Sequence, residues 1–412
     1  MKKKLLLLLL LAANTALSTF GINKKPFTIP EVKEWKGAEG TLVLSGRIVC
    51  NGAEERRIAQ QLADDYRQMF GKALILAQGK AQKGDIVLSL KAPKTLGEEG
   101  YTMSINAQAT IAAANRKGLY WGTRTLLQLA EQSQTRALPC GFISDAPDYP
   151  FRGFMLDCGR KFFSMPMLRQ YVRMMAYYKM NDLQLHLNDN YIFLKEHLAG
   201  KNLTQEEELK YVLEHAKTGF RVETDIVGKN GQKLTSDEHY TKEEMQNLIK
   251  LAKALHINLV PEIDTPGHAL SFVKVRPDLM YQGSLSDYRG KHNVERVAML
   301  DLDNKYDETL AFVKSVYDKL LDGPDAPLHG VSTVHIGTDE YYGSRESYRR
   351  YVNDLIKYIK GKGYIPRIWG SLSAKRGKTA VDWNGVEVDI WSIHWQRPNE
   401  AIAQGAKIIN IT

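Results

Sequence analysis

Cysteine is scarce: Cys50, Cys140 and Cys158 are the only three in 412 residues. Three thiols cannot form a disulfide framework, and none stands in a CxxC pair. Cys50 and Cys140 could bridge after export, but the expected state is three buried thiols. Metal-binding patterns are missing as well. There is no HExxH segment and no His/Cys cluster, so no metal is expected. Basic residues are not interleaved with aromatics in any cluster, which excludes nucleic acid as an expected partner. Long apolar runs are also lacking. The run from Leu5 to Ala13 is far short of the roughly 20 residues that cross a bilayer. No stable membrane insertion is expected.

That short run has a function of its own. Lys2, Lys3 and Lys4 precede it, and Ala16-Leu17-Ser18 follows as a small-residue cleavage site. A basic start, a short apolar core and small residues make a secretory signal peptide over residues 1–18. The expected location is periplasmic or extracellular. The formal charge of +9 includes those three lysines, so the remainder is only mildly basic.

Residues 24–147 read as a small α+β domain. Strands are expected at Asp85–Leu88, Tyr101–Ile105 and Thr110–Ala113, and a helix over Gly118–Glu131. Pro147 and Pro150 mark a stiff boundary. From 148 to 412 the pattern is alternating strand and helix. Strands are expected at Phe154–Asp157, Leu183–Leu187, Ile257–Ile263, Thr333–Gly337, Ile365–Trp369, Val386–Trp391 and Lys407–Ile411. Thr241-Lys242-Glu243-Glu244 fits a capping box opening a helix. Repeated βα units require a parallel sheet covered by helices. Asp157, Asp189, Asp264, Asp339 and Trp369 all fall at or just past strand carboxyl ends. Contributions from five strands favour a closed (β/α)8 TIM-type barrel over an open sheet with one switch point.

The most suggestive segment is Val334-His335-Ile336-Gly337-Thr338-Asp339-Glu340. A bare Asp-Glu is usually solvated surface charge, but here the pair closes a buried strand. Repulsion between adjacent carboxylates is expected to hold one of them protonated near neutral pH, as a general acid requires. Paired glycosidase carboxylates stand about 5–5.5 Å apart in retaining enzymes and about 6.5–9.5 Å in inverting ones, on either side of the sugar. Neighbouring residues cannot easily straddle a ring in that way. A nucleophile carried by the substrate, such as a 2-acetamido group, removes the difficulty.

Together these segments resemble the family 20 glycoside hydrolases, the β-N-acetylhexosaminidases. Val260 to His268 and His335 to Glu340 match the two most specific motifs. Arg152 to Asp157 resembles the barrel-opening strand, Tyr178 to Leu187 the second strand region, and Gly118 to Leu129 the end of the small preceding domain. The resemblance implies exo-acting hydrolysis of terminal β-linked N-acetylhexosamine, by a retaining mechanism through an oxazolinium-like intermediate. It implies Glu340 as acid/base and Asp339 as the carboxylate on the acetamido N–H. Arg152 would grip the sugar hydroxyls, Asp189 and His268 would support the acid, and Trp369 and Trp391 would wall the acetamido pocket. No cofactor is implied, and the partner is a glycan.

The sequence departs from the family pattern in two places. Asn190 takes the second acidic place after His186-Leu187, and Tyr191-Ile192-Phe193 follows it, so the loop to Tyr240 is expected to be remodelled. The sequence ends at Thr412, before an eighth strand and the Tyr, Trp and Glu that the family carries beyond the seventh. A barrel lacking its last unit is therefore expected. Two alternatives stay open: a non-hydrolytic glycan-binding remnant, and a relative releasing a disaccharide or a modified N-acetylglucosamine. Linkage, epimer preference and oligomeric state are not set by the sequence.

Overall fold

The computed structural model describes residues 21–190, 200–282 and 299–411, apart from residues 205, 208–209, 212–214 and 216–217. The signal-peptide expectation and Tyr191 to Phe193 lie outside the described residues. The chain divides into two compact units, Met1–Pro150 with Tyr177–Lys179, and Phe151–Ala176 with Met180–Thr412.

In the first unit the chain runs β1 (Glu34–Leu42), β2 (Arg47–Val49), α1 (Ala53–Phe70), β3 (Ile75–Ala77), β4 (Ile86–Ser89), β5 (Tyr101–Ile105), β6 (Ala109–Ala113), α2 (Arg116–Glu131) and β7 (Leu138–Asp145). The strands form one mixed sheet in the order β1-β7-β5-β6-β4-β2-β3. Period-two burial shows how it is built. Tyr101, Met103 and Ile105 of β5, and Ala109, Ile111 and Ala113 of β6, all point inward, while the residues between them are half-buried. Helix α2 covers that face with an almost wholly buried run from Gly118 to Ala130. All three cysteines are buried and unbridged.

The second unit begins with β8 (Gly153–Asp157), α3 (Met165–Tyr177), β9 (Asp182–His186), β10 (Asn188–Asn190) and β11 (Thr218–Phe220). It continues through α4 (Lys242–Ala254), β12 (Asn258–Thr265), α5 (Leu270–Val275), α6 (Tyr306–Leu321), β13 (Thr333–Gly337) and α7 (Arg345–Gly361). It ends with β14 (Ile365–Trp369), β15 (Glu387–Ile390), α8 (Pro398–Ala403) and β16 (Lys407–Asn410). Seven strands form one parallel sheet in the order β16-β15-β14-β13-β12-β9-β8, and β10 and β11 make a separate antiparallel pair. Among the described residues β8 and β16 are the two ends of the seven-stranded sheet.

Alternation along these strands sends Leu183, Leu185, Val334, Ile336, Ile368, Val388 and Ile390 to one face, all fully or nearly fully buried. The opposite face is polar. Strand register aligns Asp157, His186, Glu262, His335, Arg367, Glu387 and Lys407 as one rung across all seven strands. Arg367, 1% exposed, donates to Asp182 at 2.8 and 3.0 Å and to Glu387 at 2.7 and 3.0 Å. Strands β12 and β13 lie between β9 and β14 in the sheet. A side chain of β14 can reach β9 only if the sheet curls into a trough, as a barrel wall does. The polar rung lines the hollow of that trough, and the apolar face is left for the helices.

Candidate active site

The site is built where β12 and β13 end. Strand β13 leaves through Gly337, Thr338 and Glu340, with φ of +68°, +83° and +41°. This left-handed turn breaks the strand alternation, so Asp339 and Glu340 both come within reach of His268. Only glycine fits at 337, because a Cβ there would overlap the Asp264 carboxylate. The turn is pinned on several sides. The Thr338 N–H faces both the Thr265 carbonyl and Asp264 Oδ1, at 3.1 Å each. From α7, the Tyr348 hydroxyl donates to the Thr338 carbonyl, and the Tyr351 hydroxyl donates to Thr265 Oγ1 at 2.7 Å.

A buried chain of acids and imidazoles leads to the pair. Asp189 Oδ2 lies 2.6 Å from His186 Nε2, and Asp189 Oδ1 lies 3.0 Å from His268 Nδ1. The other His268 nitrogen, Nε2, is 3.2 Å from Glu340 Oε2 and 3.6 Å from Asp339 Oδ2. Burial opposes ionisation of Asp189, but hydrogen bonds from His186 and His268 overcome it and hold the carboxyl below its usual range. Burial also opposes charging His268, yet Asp339, Asp189 and Glu340 together push it well above the usual imidazole range. At Glu340 the hydrogen bond from His268 outweighs burial and holds the carboxyl below its usual value. At rest the proton therefore sits on His268, next to an anionic Glu340. The sequence analysis expects one carboxyl of the pair to be held protonated; at Glu340 the His268 hydrogen bond prevails instead.

Arg152 is not brought to this cluster. It immediately precedes β8, and its backbone N–H donates to Asn181 Oδ1 at 2.9 Å. That is the amino-terminal end of a five-residue strand, roughly 16 Å from the carboxyl end that carries Asp157. The arginine that does arrive is Arg160, which the sequence reading passed over. Its Nη1 is 2.7 Å from Asp157 Oδ2 and its Nη2 is 2.8 Å from Asp189 Oδ2. Arg221 steadies that turn by donating to the carbonyls of Cys158 and Gly159 at 2.8 and 3.0 Å. The available signal was position: Arg160 stands three residues past a strand end, whereas Arg152 stands before a strand start.

Trp369 closes β14 and is 7% exposed. Its indole N–H donates to Glu262 Oε1 at 2.6 Å, and its ring meets His335 edge-on at 4.9 Å. Glu262 also accepts from Gln184 at 2.9 Å and lies 2.7 Å from His186 Nδ1. Burial would raise the Glu262 carboxyl, but His186 and His335 prevail and bring it down to about 2. The indole is thus fixed from below by an anion. Trp391 follows β15 directly, half-buried, with its ring 5.4 Å from Trp395.

Residues 149–411 match the family description "Glycosyl hydrolase family 20, catalytic domain", and residues 25–146 match "Glycosyl hydrolase family 20, domain 2". The chain belongs to glycosyl hydrolase family 20. Among its relatives, a lacto-N-biosidase of Bifidobacterium bifidum is 27% identical over 94% of this chain and 33% of its own length. A β-hexosaminidase of Akkermansia muciniphila is 32% identical over 62% of this chain and 48% of its own length. The chain thus spans between a third and a half of the length of these relatives. In fold it is similar to the Streptomyces plicatus N-acetyl-β-hexosaminidase, with a TM-score of 0.68 and 24% identity over 93% of this chain and 73% of that one. A Bacteroides fragilis β-N-acetylhexosaminidase gives a TM-score of 0.70 at 21% identity over 93% and 74%. The fold is accordingly the family's TIM barrel preceded by a small domain, and the curled parallel sheet is its wall.

Among the described residues, three groups of donors each bring their atoms within 4.8 Å of one another: Asp157, His186 and Asp189; His186, Glu262 and Asp264; and Asp264, His268 and Asp339. In the first, Arg160 already holds both aspartates. In the others, His186 and His268 face carboxylates as pushed-up, proton-bearing rings. A metal would have to displace those protons, and none of these groups is assigned as a metal site. Among the described residues no helix is long and apolar enough to cross a membrane.

Proposed function

We propose that this chain hydrolyses terminal β-linked N-acetylhexosamine from glycan ends, with retention and with the substrate's acetamido oxygen as nucleophile. One observation carries the reading. Glu340 ends the buried Asp189–His268 chain, and beside it Asp339 Oδ1 is buried with no hydrogen-bond partner among the described residues. An unpaired buried carboxylate oxygen is costly unless a ligand supplies a donor, and an acetamido N–H is such a donor.

Asp339 and Glu340 leave the strand as neighbours, so they approach a pyranose from one side. Attack on the anomeric carbon then falls to the acetamido oxygen. Asp339 orients that group and offsets the positive charge of the cyclised ring. Glu340 protonates the leaving oxygen. It can draw that proton from His268, 3.2 Å away, once the sugar displaces water and favours a neutral carboxyl. Arg160 takes the hydroxyl-gripping role first given to Arg152, because its fork is held at the cleft by Asp157 and Asp189. Trp369 and Trp391 supply apolar faces for the acetamido methyl and the ring. Relatives named β-hexosaminidase support the reaction class. The amino-terminal segment supports export, and mass measurement of the mature amino terminus checks it.

The test is a Glu340→Gln variant with two kinds of substrate. Natural glycosides should lose at least about 1,000-fold in turnover, because their leaving groups need a proton. Aryl glycosides with good leaving groups should lose much less in the cleavage step. A thiazoline mimic of the cyclised sugar should inhibit the parent strongly and Asp339→Asn weakly. Trapping a sugar ester on any Asp or Glu would sink the mechanism.

A further inference from the structure

Asp264 stands near the end of β12, 1% exposed. Its environment differs from that of the other buried acids. Asp189 is met by Arg160, His186 and His268, and Glu262 by His186, Gln184 and Trp369. Asp264 Oδ1 accepts from the Thr338 N–H at 3.1 Å, and among the described residues its carboxyl has no lysine or arginine partner. Its backbone is fixed by Asn188, which accepts from the Asp264 N–H at 2.7 Å and donates to the Asp264 carbonyl at 2.9 Å. A carboxyl oxygen of Asp264, one of Asp339 and a ring nitrogen of His268 lie within 4.8 Å of one another. The imidazolium is already shared between Asp189 and Glu340.

Two carboxylates this close, with one overcommitted cation between them, cannot both be charged in a water-poor site. The Asp339 side chain keeps 16% of its surface exposed and can be solvated in part. Asp264 is almost completely enclosed, so the proton is cheaper to keep there. Burial first, and then the Asp339 charge, push the Asp264 carboxyl well above the usual range.

We infer that Asp264 is a positioning residue that works as a neutral carboxyl, holding the one proton of the Asp264–Asp339 pair so that Asp339 stays anionic for its ligand. This rests on the proposal that Asp339 receives the acetamido N–H. An ionised Asp264 would push the proton onto Asp339, turning that acceptor into a donor and removing the charge that offsets the cyclised ring. The groups facing Asp264 come from every packed element. His268 and Glu262 lie on its own strand and the turn after it, and His186 on β9. Arg160 comes from the turn after β8, Asp339 from the turn after β13, and Tyr317, Tyr348 and Tyr351 from α6 and α7.

The experiment compares Asp264→Asn with Asp264→Ala in the full chain. Asparagine keeps the shape and the neutral state, so kcat on an aryl N-acetyl-β-glucosaminide near neutral pH should stay within about 10-fold of the parent. Alanine should lose about 100-fold or more, mainly in kcat. The alkaline limb of kcat/KM should also move upward or vanish in Asp264→Asn, since no proton remains there to be lost. Asparagine as damaging as alanine, with the limb unmoved, would overturn the inference. Infrared difference spectra of the unliganded protein read the proton itself. A carboxylic-acid C=O band should persist at neutral pH, disappear in Asp264→Asn, and titrate at lower pH in Asp339→Asn, even if Asp264→Asn folds poorly. Absence of the band defeats the neutral-carboxyl inference. A band present in a protein that hydrolyses no hexosaminide defeats the functional reading and leaves this one standing.

Discussion

Thr338 is a β-branched residue at φ +83°, a conformation its side chain disfavours, and its hydroxyl is buried without a partner among the described residues. Such strain costs about 1–3 kcal/mol and persists because Asp264, Thr265 and Tyr348 hold the turn. Thr338→Gly should therefore raise stability by about 1 kcal/mol net of glycine's entropy, read as an upward shift in thermal midpoint. A lower midpoint would show that threonine packs better than its backbone suggests. Arg160→Lys should raise KM about 10-fold or more with a smaller effect on kcat, because an ammonium cannot reproduce the two-pronged hold on Asp157 and Asp189. Arg152→Lys should change neither. At this scale strand ends pointed to Asp157, Asp189, Asp264, Asp339 and Trp369, while His268 and the acid role of Glu340 came from the likeness to the family. The sequence did not show Arg160, because a turn with Gly159 carries that residue back over the sheet, and no periodicity marks such a return.

Among the elements, those with a strong apolar period were legible. The strands of the parallel sheet and helices α4, α6 and α7 fall where their buried residues repeat. Helix α1 was missed. Its buried face is Ile58, Ala59, Leu62, Ala63 and Tyr66, and two alanines in that stripe blur the contrast with its charged side. Strand β1 was missed because it is a sheet edge, mostly exposed or half-buried, with Lys, Glu and Gly where a central strand has branched residues. The capping box did form: Glu244 N–H donates to the Thr241 hydroxyl at 3.2 Å, and Thr241 N–H to the Glu244 carboxylate at 3.0 Å. Thr241→Ala should cost about 1 kcal/mol in chemical denaturation, through the midpoint rather than the slope. A change in slope instead would mean that the cap shapes the unfolded chain.

For the whole molecule, the perturbed groups define a window of stability. Asp189, Glu262, Glu340 and Glu387 are held below the usual carboxylate range, so their contribution is present above about pH 4 and is lost as pH falls through their folded values, near 2 for Glu262 and later still for Asp189. His186 and His268 are pushed up, so their contribution is full below about pH 6.5 and is lost as pH rises through their folded values. Asp264, also pushed up, contributes fully only below about pH 4, and that contribution declines as pH rises from there toward its folded value. The thermal midpoint should peak between about pH 5 and 6.5, and a peak above pH 8 would contradict these assignments. The rung of seven ionisable residues has a further consequence, for how the strands find one another. Slipping any strand by one residue would turn its rung member toward the helices and bring an apolar side chain into the trough. A one-residue misalignment then strands a charge opposite hydrocarbon, so the rung acts as a proofreading device during assembly. Replacing Asp182, Arg367 and Glu387 together by leucine or methionine should leave stability nearly unchanged, whereas Arg367→Met alone should cost about 3–5 kcal/mol. The triple variant should also refold to a mixture with broadened unfolding, because a greasy trough accepts more than one alignment of the same strands.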